Sequence, residues 1–340
     1  MASTVTPFIA LPFPARQHAE AAKIEAFTRD WAQRFHLVRS DAAAKVLALS
    51  RFGEFGAYAY PTASLPEAEL VACWMAWLYF TDDQYEEGGY GSCARWTEVT
   101  EAIRGVLEPG LPTSPLADTP LIHALTDLSL RLDPLVSSAW KNRFTKHLLN
   151  TMAGALREIQ LRAGGTPPSF SEYVALRRNA CSALPCFDLI EVCTHSEIPA
   201  AAYHSAPFQE MILAGVDIVA WTNDLYSLEK EAACGIVSNI VLVLEQEREL
   251  DRQQTWDMAR TLINDRVNDL LAAEQRFPTV ARTLQLDPST VEAMGVCMAC
   301  LRDWIAGSNH WHANGTTRYQ QLVSGSQITF VEDLLDPAGS

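Results

Sequence analysis

The sequence predicts an all-α protein, a single helical bundle with room for a deep apolar cavity. Three observations predict it. Apolar residues recur at three- and four-residue spacing through long stretches, turn-forming residues fall between those stretches, and strand signals are nearly absent.

The periodic stretches run from Arg16 to Phe35, Pro66 to Glu87, Leu135 to Arg162, Pro207 to Glu231, Thr255 to Gln275 and Pro288 to Trp311. Two carry helix-start chemistry: Ser64 and Pro66 precede Glu67, and Asp287, Pro288 and Ser289 open the last. Breakers stand between them at Pro61, Gly88-Gly89, Pro109 to Pro115, Gly164 to Pro168 and Gly235. Ile240 to Leu244 is aliphatic with three β-branched residues; set among helices, it reads as a buried helical turn. No repeat, low-complexity segment or linker interrupts the chain. Residues 1–340 therefore read as one α domain of about a dozen helices, with 1–14 and 325–340 as loose ends.

With 340 residues, 48% of them hydrophobic, the chain can bury a sizeable core. Its 41 acidic and 26 basic side chains give a net charge of -15. Such a chain repels nucleic-acid backbone and anionic lipid. A small anionic substrate stays open if carboxylates hold metal cations for it. The eight cysteines form only one CxxC, Cys297 and Cys300, and read as core thiols of a reducing cytosol. Met1 to Pro14, interrupted by three prolines and without a basic region, is not a signal peptide. The longest apolar run, Leu70 to Phe80, has 11 residues, too few to span a bilayer. The expectation is a soluble cytoplasmic monomer or homodimer, without nucleic-acid partner or stable membrane association.

Four constellations carry chemistry. Asp82-Asp83-Gln84-Tyr85-Glu86-Glu87 ends the most apolar helix. Asp82 with Glu86, and Asp83 with Glu87, share helix sides. Their mutual repulsion, and their opposition to the helix dipole, would be relieved by Mg²⁺; the plain alternative is a solvated acidic helix end. In Asn223-Asp224-Leu225-Tyr226-Ser227-Leu228-Glu229-Lys230-Glu231, the residues Asn223, Ser227 and Glu231 recur every four positions. They form one row of an amide oxygen, a hydroxyl and a carboxylate, a mixed oxygen site for one Mg²⁺. Upstream, Asp217 is the only charge from Met211 to Trp221, so the row faces a buried space. Tyr173, Arg177 and Arg178, and far downstream Arg318 and Tyr319, supply forks for phosphate. Trp74, Trp77, Tyr79 and Phe80 lead into the acidic run, and Trp304 and Trp311 stand seven apart on one helix side. Aromatic faces stabilise cations without offering a nucleophile. Tyr79, Trp304 and Trp311 are therefore assigned to a pocket wall, with Phe55 as a further candidate.

These residues resemble the class I terpene synthases of microbes, especially bacterial sesquiterpene cyclases. DDQYEE is similar to the aspartate-rich motif, as DDxxE if Glu86 is the ligand or DDxxxE if Glu87 is. NDLYSLEKE fits NDxxSxxKE at every defined position. Arg177, 46 residues before Asn223, matches the sensor arginine, and Arg318-Tyr319 matches the C-terminal RY pair.

The resemblance implies a class I terpenoid synthase bundle and three Mg²⁺ ions. One or two would be bound through Asp82 with Glu86 or Glu87, and one through Asn223, Ser227 and Glu231. Asp83 is either a ligand or a partner for an arginine. Arg177, Lys230, Arg318 and Tyr319 would hold the diphosphate of a linear isoprenyl substrate, by default the fifteen-carbon farnesyl diphosphate. The carbocation left behind would cyclise against the wall, and loops around Gly88-Gly89 and Gly235 would close over it. Relatives carry a glycine-containing helix break after the sensor arginine. Here Ala180-Cys181-Ser182 stands in its place, with the Cys181 carbonyl facing the substrate. Leu78 occupies a wall position where relatives often have a ring. Two other enzyme readings and one binding reading stand beside this one: a ten- or twenty-carbon cyclase, a chain-elongating prenyltransferase, and a non-catalytic helical carrier. A zinc site of His310, His312, Cys297 and Cys300 lacks helical register between its ligands.

Overall fold

The computed structural model describes residues 9–108, 110–319 and 332–336. Every regular element among them is helical. The first six helices are α1 (Ala21–Arg34), α2 (Asp41–Ser50), α3 (Phe52–Ala59), α4 (Leu65–Glu86), α5 (Cys93–Leu107) and α6 (Pro120–Leu132). After a short 3₁₀ turn come α7 (Ser138–Gly164), α8 (Phe170–Ala180), α9 (Ala183–Cys193) and α10 (Ala200–Tyr203). The chain continues through α11 (Ala206–Ala233), α12 (Ile240–Arg248), α13 (Arg252–Thr283) and α14 (Pro288–His310), and a π-helical turn follows at Trp311–Gly315.

The apolar pattern explains which helices are central. α4 is buried around most of its circumference, from Leu70 to Leu78. A helix that is hydrophobic all round belongs inside. Its start is fixed by a capping box, in which the Ser64 N–H donates to Glu67 Oε2 at 3.1 Å. α11 is the second central helix. Its buried Asp217 sits between Arg178 (2.7 Å) and Arg266 (2.8 Å), so Arg178 serves this ion pair and not a phosphate site. α3 meets α14 at close range: a Cβ on Gly307 would lie 2.3 Å from the Tyr58 carbonyl oxygen, so only glycine lets the backbones approach. Together α3, α4, α8, α9, α11 and α14 wall one cavity.

Parts of the expected loose ends are packed. Ile9 is buried, and its carbonyl accepts from Asn309 Nδ2 at 2.8 Å. Leu334 and Leu335 are buried as well, and the Leu334 N–H donates to Gln84 Oε1 at 3.1 Å. Residues 1–8, 320–331 and 337–340 lie outside the described residues. Ile240 to Leu244 is helical, as its setting implied. Cys297 pairs with Thr194 and Cys300 with Thr62, while His312 faces the cavity. The zinc reading is therefore dropped. Among the described residues, no helix is long and apolar enough to cross a membrane.

α7 is tied to α9 by a buried charge cluster. Arg143 bonds Asp188 (3.0 Å) and Glu191 (2.5 Å), His147 Nδ1 lies 2.6 Å from Asp188, and Arg143 also covers the Tyr203 ring. One guanidinium serves two carboxylates. Burial, against the pull of Arg143, pushes the Glu191 carboxyl up to about 7. The folded chain thus keeps a proton that the unfolded chain gives up above its ordinary carboxylate range. Stability from this site falls as pH rises from about 4.5 to 7. We expect a loss of about 2 kcal/mol between pH 5 and pH 7. Glu191→Gln should flatten that slope, as read from urea midpoints at the two pH values.

Candidate active site

The acidic run lies on the last turn of α4. Asp82 and Glu86, one turn apart, both line the cavity, whereas Glu87 caps the helix and does not. Burial and the neighbouring charge of Glu86 push the Asp82 carboxyl well above the usual range, with Lys230 opposing them. Asp83 is turned to Arg318, which grips both of its oxygens. Lys230 from α11 reaches across to Glu86 at 2.6 Å, Glu87 at 2.7 Å and Asp83 at 3.8 Å. This cross-link joins two motifs that stand far apart in sequence.

The α11 row is formed as its spacing implied. Asn223, Ser227 and Glu231 all line the cavity. Ser227 Oγ lies 2.6 Å from Glu231 Oε1 and 2.8 Å from the Asn223 carbonyl oxygen. Asn239 Nδ2 donates to the other Glu231 oxygen at 2.9 Å. Burial, then the nearby Asp224 charge, push the Glu231 carboxyl up to about 8, with Arg177 pulling the other way. A carboxylate so placed favours a cation beside it. Hard oxygen donors on a single face fit a divalent metal.

Arg177 stands over this row. Its Nη2 donates to Asn223 Oδ1 at 3.2 Å and to Asp224 Oδ1 at 2.5 Å, and its Nη1 lies 3.5 Å from Glu158. Burial works against its charge, but Asp224 and Glu158 outweigh burial and hold the guanidinium protonated. Asp224 faces away from the cavity. It accepts from the Tyr173 hydroxyl at 2.5 Å and the Ile240 N–H at 2.8 Å. Glu158 accepts from Tyr85 at 2.9 Å and Ser238 at 3.0 Å. Neither support was singled out from sequence, although Asp224 lies inside the motif. The Nε groups of Arg177 and Arg318 are buried and find no acceptor among the described residues. Spare guanidinium donors beside carboxylates suit an incoming polyanion.

The cavity encloses about 820 Å³, its open mouth included. Phe55, Leu78, Tyr79 and Trp304 line it as expected, joined by Met75, Cys186, Val219 and Ala220. Trp311 does not line it. That indole is fully buried behind Phe55, stacked at 4.4 Å, and its Nε1 donates to the Arg51 carbonyl at 3.1 Å. The π turn begins at Trp311 and brings the next residue, His312, to the wall instead. Burial pushes the His312 imidazole down to about 4, so it is neutral. The helix break after Arg177 exists without glycine: α8 stops at Ala180, and Ser182 takes a left-handed φ of 59° before α9. Cys181 and Ser182 both line the cavity. Arg318 and Tyr319 close the same face, with the guanidinium 5.5 Å from the Tyr79 ring centre.

Residues 73–269 match the model of terpene synthase family 2, C-terminal metal binding. Pristinol synthase of Streptomyces pristinaespiralis is 29% identical over 329 residues, which cover 95% of this chain and 88% of that protein. A Roseiflexus castenholzii protein, (+)-T-muurolol synthase ((2E,6E)-farnesyl diphosphate cyclizing), is 29% identical over 306 residues, covering 90% and 91%. The solved structure of wild-type cucumene synthase superposes with a TM-score of 0.78 at 29% identity, over 89% of this chain and 98% of that one. On the family match, the shared fold and the convergence of both oxygen rows on one cavity, the chain belongs to the terpene synthases, lyases that act on isoprenyl diphosphates with a divalent metal.

Proposed function

We propose that this cyclase ionises farnesyl diphosphate with Mg²⁺ and closes the resulting cation into a sesquiterpene hydrocarbon or alcohol, releasing diphosphate. One observation carries the reading: Asp82, Glu86, Asn223, Ser227 and Glu231 line a single cavity together with Arg177, Lys230 and Arg318, and Lys230 bonds Glu86 while Arg177 bonds Asn223. The family resemblance adds the count of three ions, and the whole chain is read as one domain. Mg²⁺ bound there supplies positive charge to the departing diphosphate.

The chain's own groups do the rest. Asp82 and Glu86 form one ligand side, which favours the DDxxE form over Glu87, and Asp83 holds Arg318 in place. Arg177, Lys230, Arg318 and the Tyr319 hydroxyl present donors to the diphosphate oxygens, preorganised by buried carboxylates. Tyr79, Phe55 and Trp304 offer ring faces to the cation, and Leu78, Met75 and Val219 exclude water from it. Cys181 lines the same space at the helix break, where its carbonyl would present a dipole to the cation.

The mixed Asn/Ser/Glu row favours cyclisation over chain elongation. The test is incubation with ten-, fifteen- and twenty-carbon diphosphates in parallel, each with Mg²⁺, and gas chromatography of the extract. A cyclic fifteen-carbon product is expected. A lengthened diphosphate on adding isopentenyl diphosphate, or no diphosphate release from any of the three, would sink the proposal.

A further inference from the structure

One buried group on the cavity wall has no part in the ionisation chemistry above. His312 Nδ1 lies 2.8 Å from the Ser308 carbonyl oxygen. A carbonyl only accepts, so Nδ1 carries the ring proton. A guanidinium only donates, so the Asn223 oxygen is the atom that meets Arg177 Nη2 at 3.2 Å; Asn223 Nδ2 then lies 2.9 Å from His312 Nε2, which must accept. An amide nitrogen only donates. This bond, with a longer one from the same Nδ2 to the Tyr319 hydroxyl at 3.3 Å, holds the amide nitrogen on the His312 side. With its nitrogen tied to the imidazole, its oxygen points to the opposite side, where Arg177 meets it at 3.2 Å. The reversed amide would set oxygen against a lone pair and NH₂ against a guanidinium. The ring itself is clamped. It stacks on Tyr319 (5.5 Å between centres, 14° between planes) and on Tyr226 (5.7 Å, 24°).

We propose that His312 is a positioning residue for the second oxygen row, holding the Asn223 amide oxygen toward the metal and the Tyr319 ring toward the diphosphate. The inference rests on the reading of Asn223 as a ligand. It also gives the π turn a role: the turn puts His312, not Trp311, at the wall, and such turns gather at functional sites.

The test titrates Mn²⁺ in the presence of inorganic pyrophosphate, following free Mn²⁺ by electron paramagnetic resonance. His312→Phe keeps a ring for both stacks and removes the acceptor. Outer partners of ligands are typically worth about 10–100-fold in metal affinity, and a loss of that size is expected, with an unchanged unfolding midpoint. His312→Gln, whose amide oxygen replaces Nε2, should recover most of it. In Asn223→Asp no N–H needs orienting, so adding His312→Phe there should cost almost nothing more. Equal Mn²⁺ affinity in the wild type and His312→Phe overturns the proposal. Equal losses in both backgrounds also overturn it, because they mark the ring as packing alone. If the wild type takes up no Mn²⁺, the ligand assignment beneath it fails instead.

Discussion

Glu231→Gln is expected to lower turnover of the isoprenyl diphosphate substrate by about a thousandfold, equivalent to about 4 kcal/mol of transition-state stabilisation. The substitution is nearly isosteric. Its amide still meets Ser227 and Asn239, which stand at 2.6 Å and 2.9 Å from the carboxylate. What it removes is the charge that would hold a divalent cation against the α11 row. The unfolding midpoint should stay within a few degrees of the wild type, so lost activity is separable from lost structure. Steady-state kinetics on purified protein, with circular dichroism melts alongside, decide the matter. A variant that turns over at the wild-type rate would remove Glu231 from the site.

Asp224→Ala should fail in the opposite way. The neighbouring motif residue is fully buried and faces the protein, not the cavity. Its carboxylate gathers Arg177, the Tyr173 hydroxyl and the Ile240 N–H. Removing it strands a buried guanidinium and two donors, and breaking such a pair costs about 3–5 kcal/mol. Urea unfolding should show that loss directly. Turnover falls as well, since Arg177 loses the group that aims it. Unchanged stability would show that Arg177 re-pairs with Glu158, its other carboxylate neighbour at 3.5 Å.

The contrast between these two residues shows what was legible in the sequence. Asn223, Ser227 and Glu231 were readable because a single helix fixes their spacing, and helical periodicity is local. The same holds for the long helices α4, α7, α11 and α14. Partnerships between elements were not readable from spacing; only the family resemblance offered an arginine as a partner for Asp83. Asp83 meets Arg318 across 235 residues, and Lys230 meets Glu86 across 144. Neither pair leaves a trace in spacing. Helix ends were only partly readable. Pro278 lies beyond the expected end of its helix at Gln275, yet α13 runs through it to Thr283. The absence of glycine cast no shadow on the α8–α9 break, which Ser182 makes in the left-handed region. Trp311 was placed by counting sevens, and its side chain turned out to support Phe55 from behind.

That break has a lasting consequence. Ala180, Cys181 and Ser182 bring the C-terminal end of α8 to the cavity wall. A helix end of this polarity carries roughly half a unit of negative charge, made of peptide carbonyls. It has no proton to gain or lose and no side chain to swap. A positive centre drifting past meets the same pull in acid or alkali. Reshaping the wall by point substitution leaves that pull intact; only rewinding α8 would remove it.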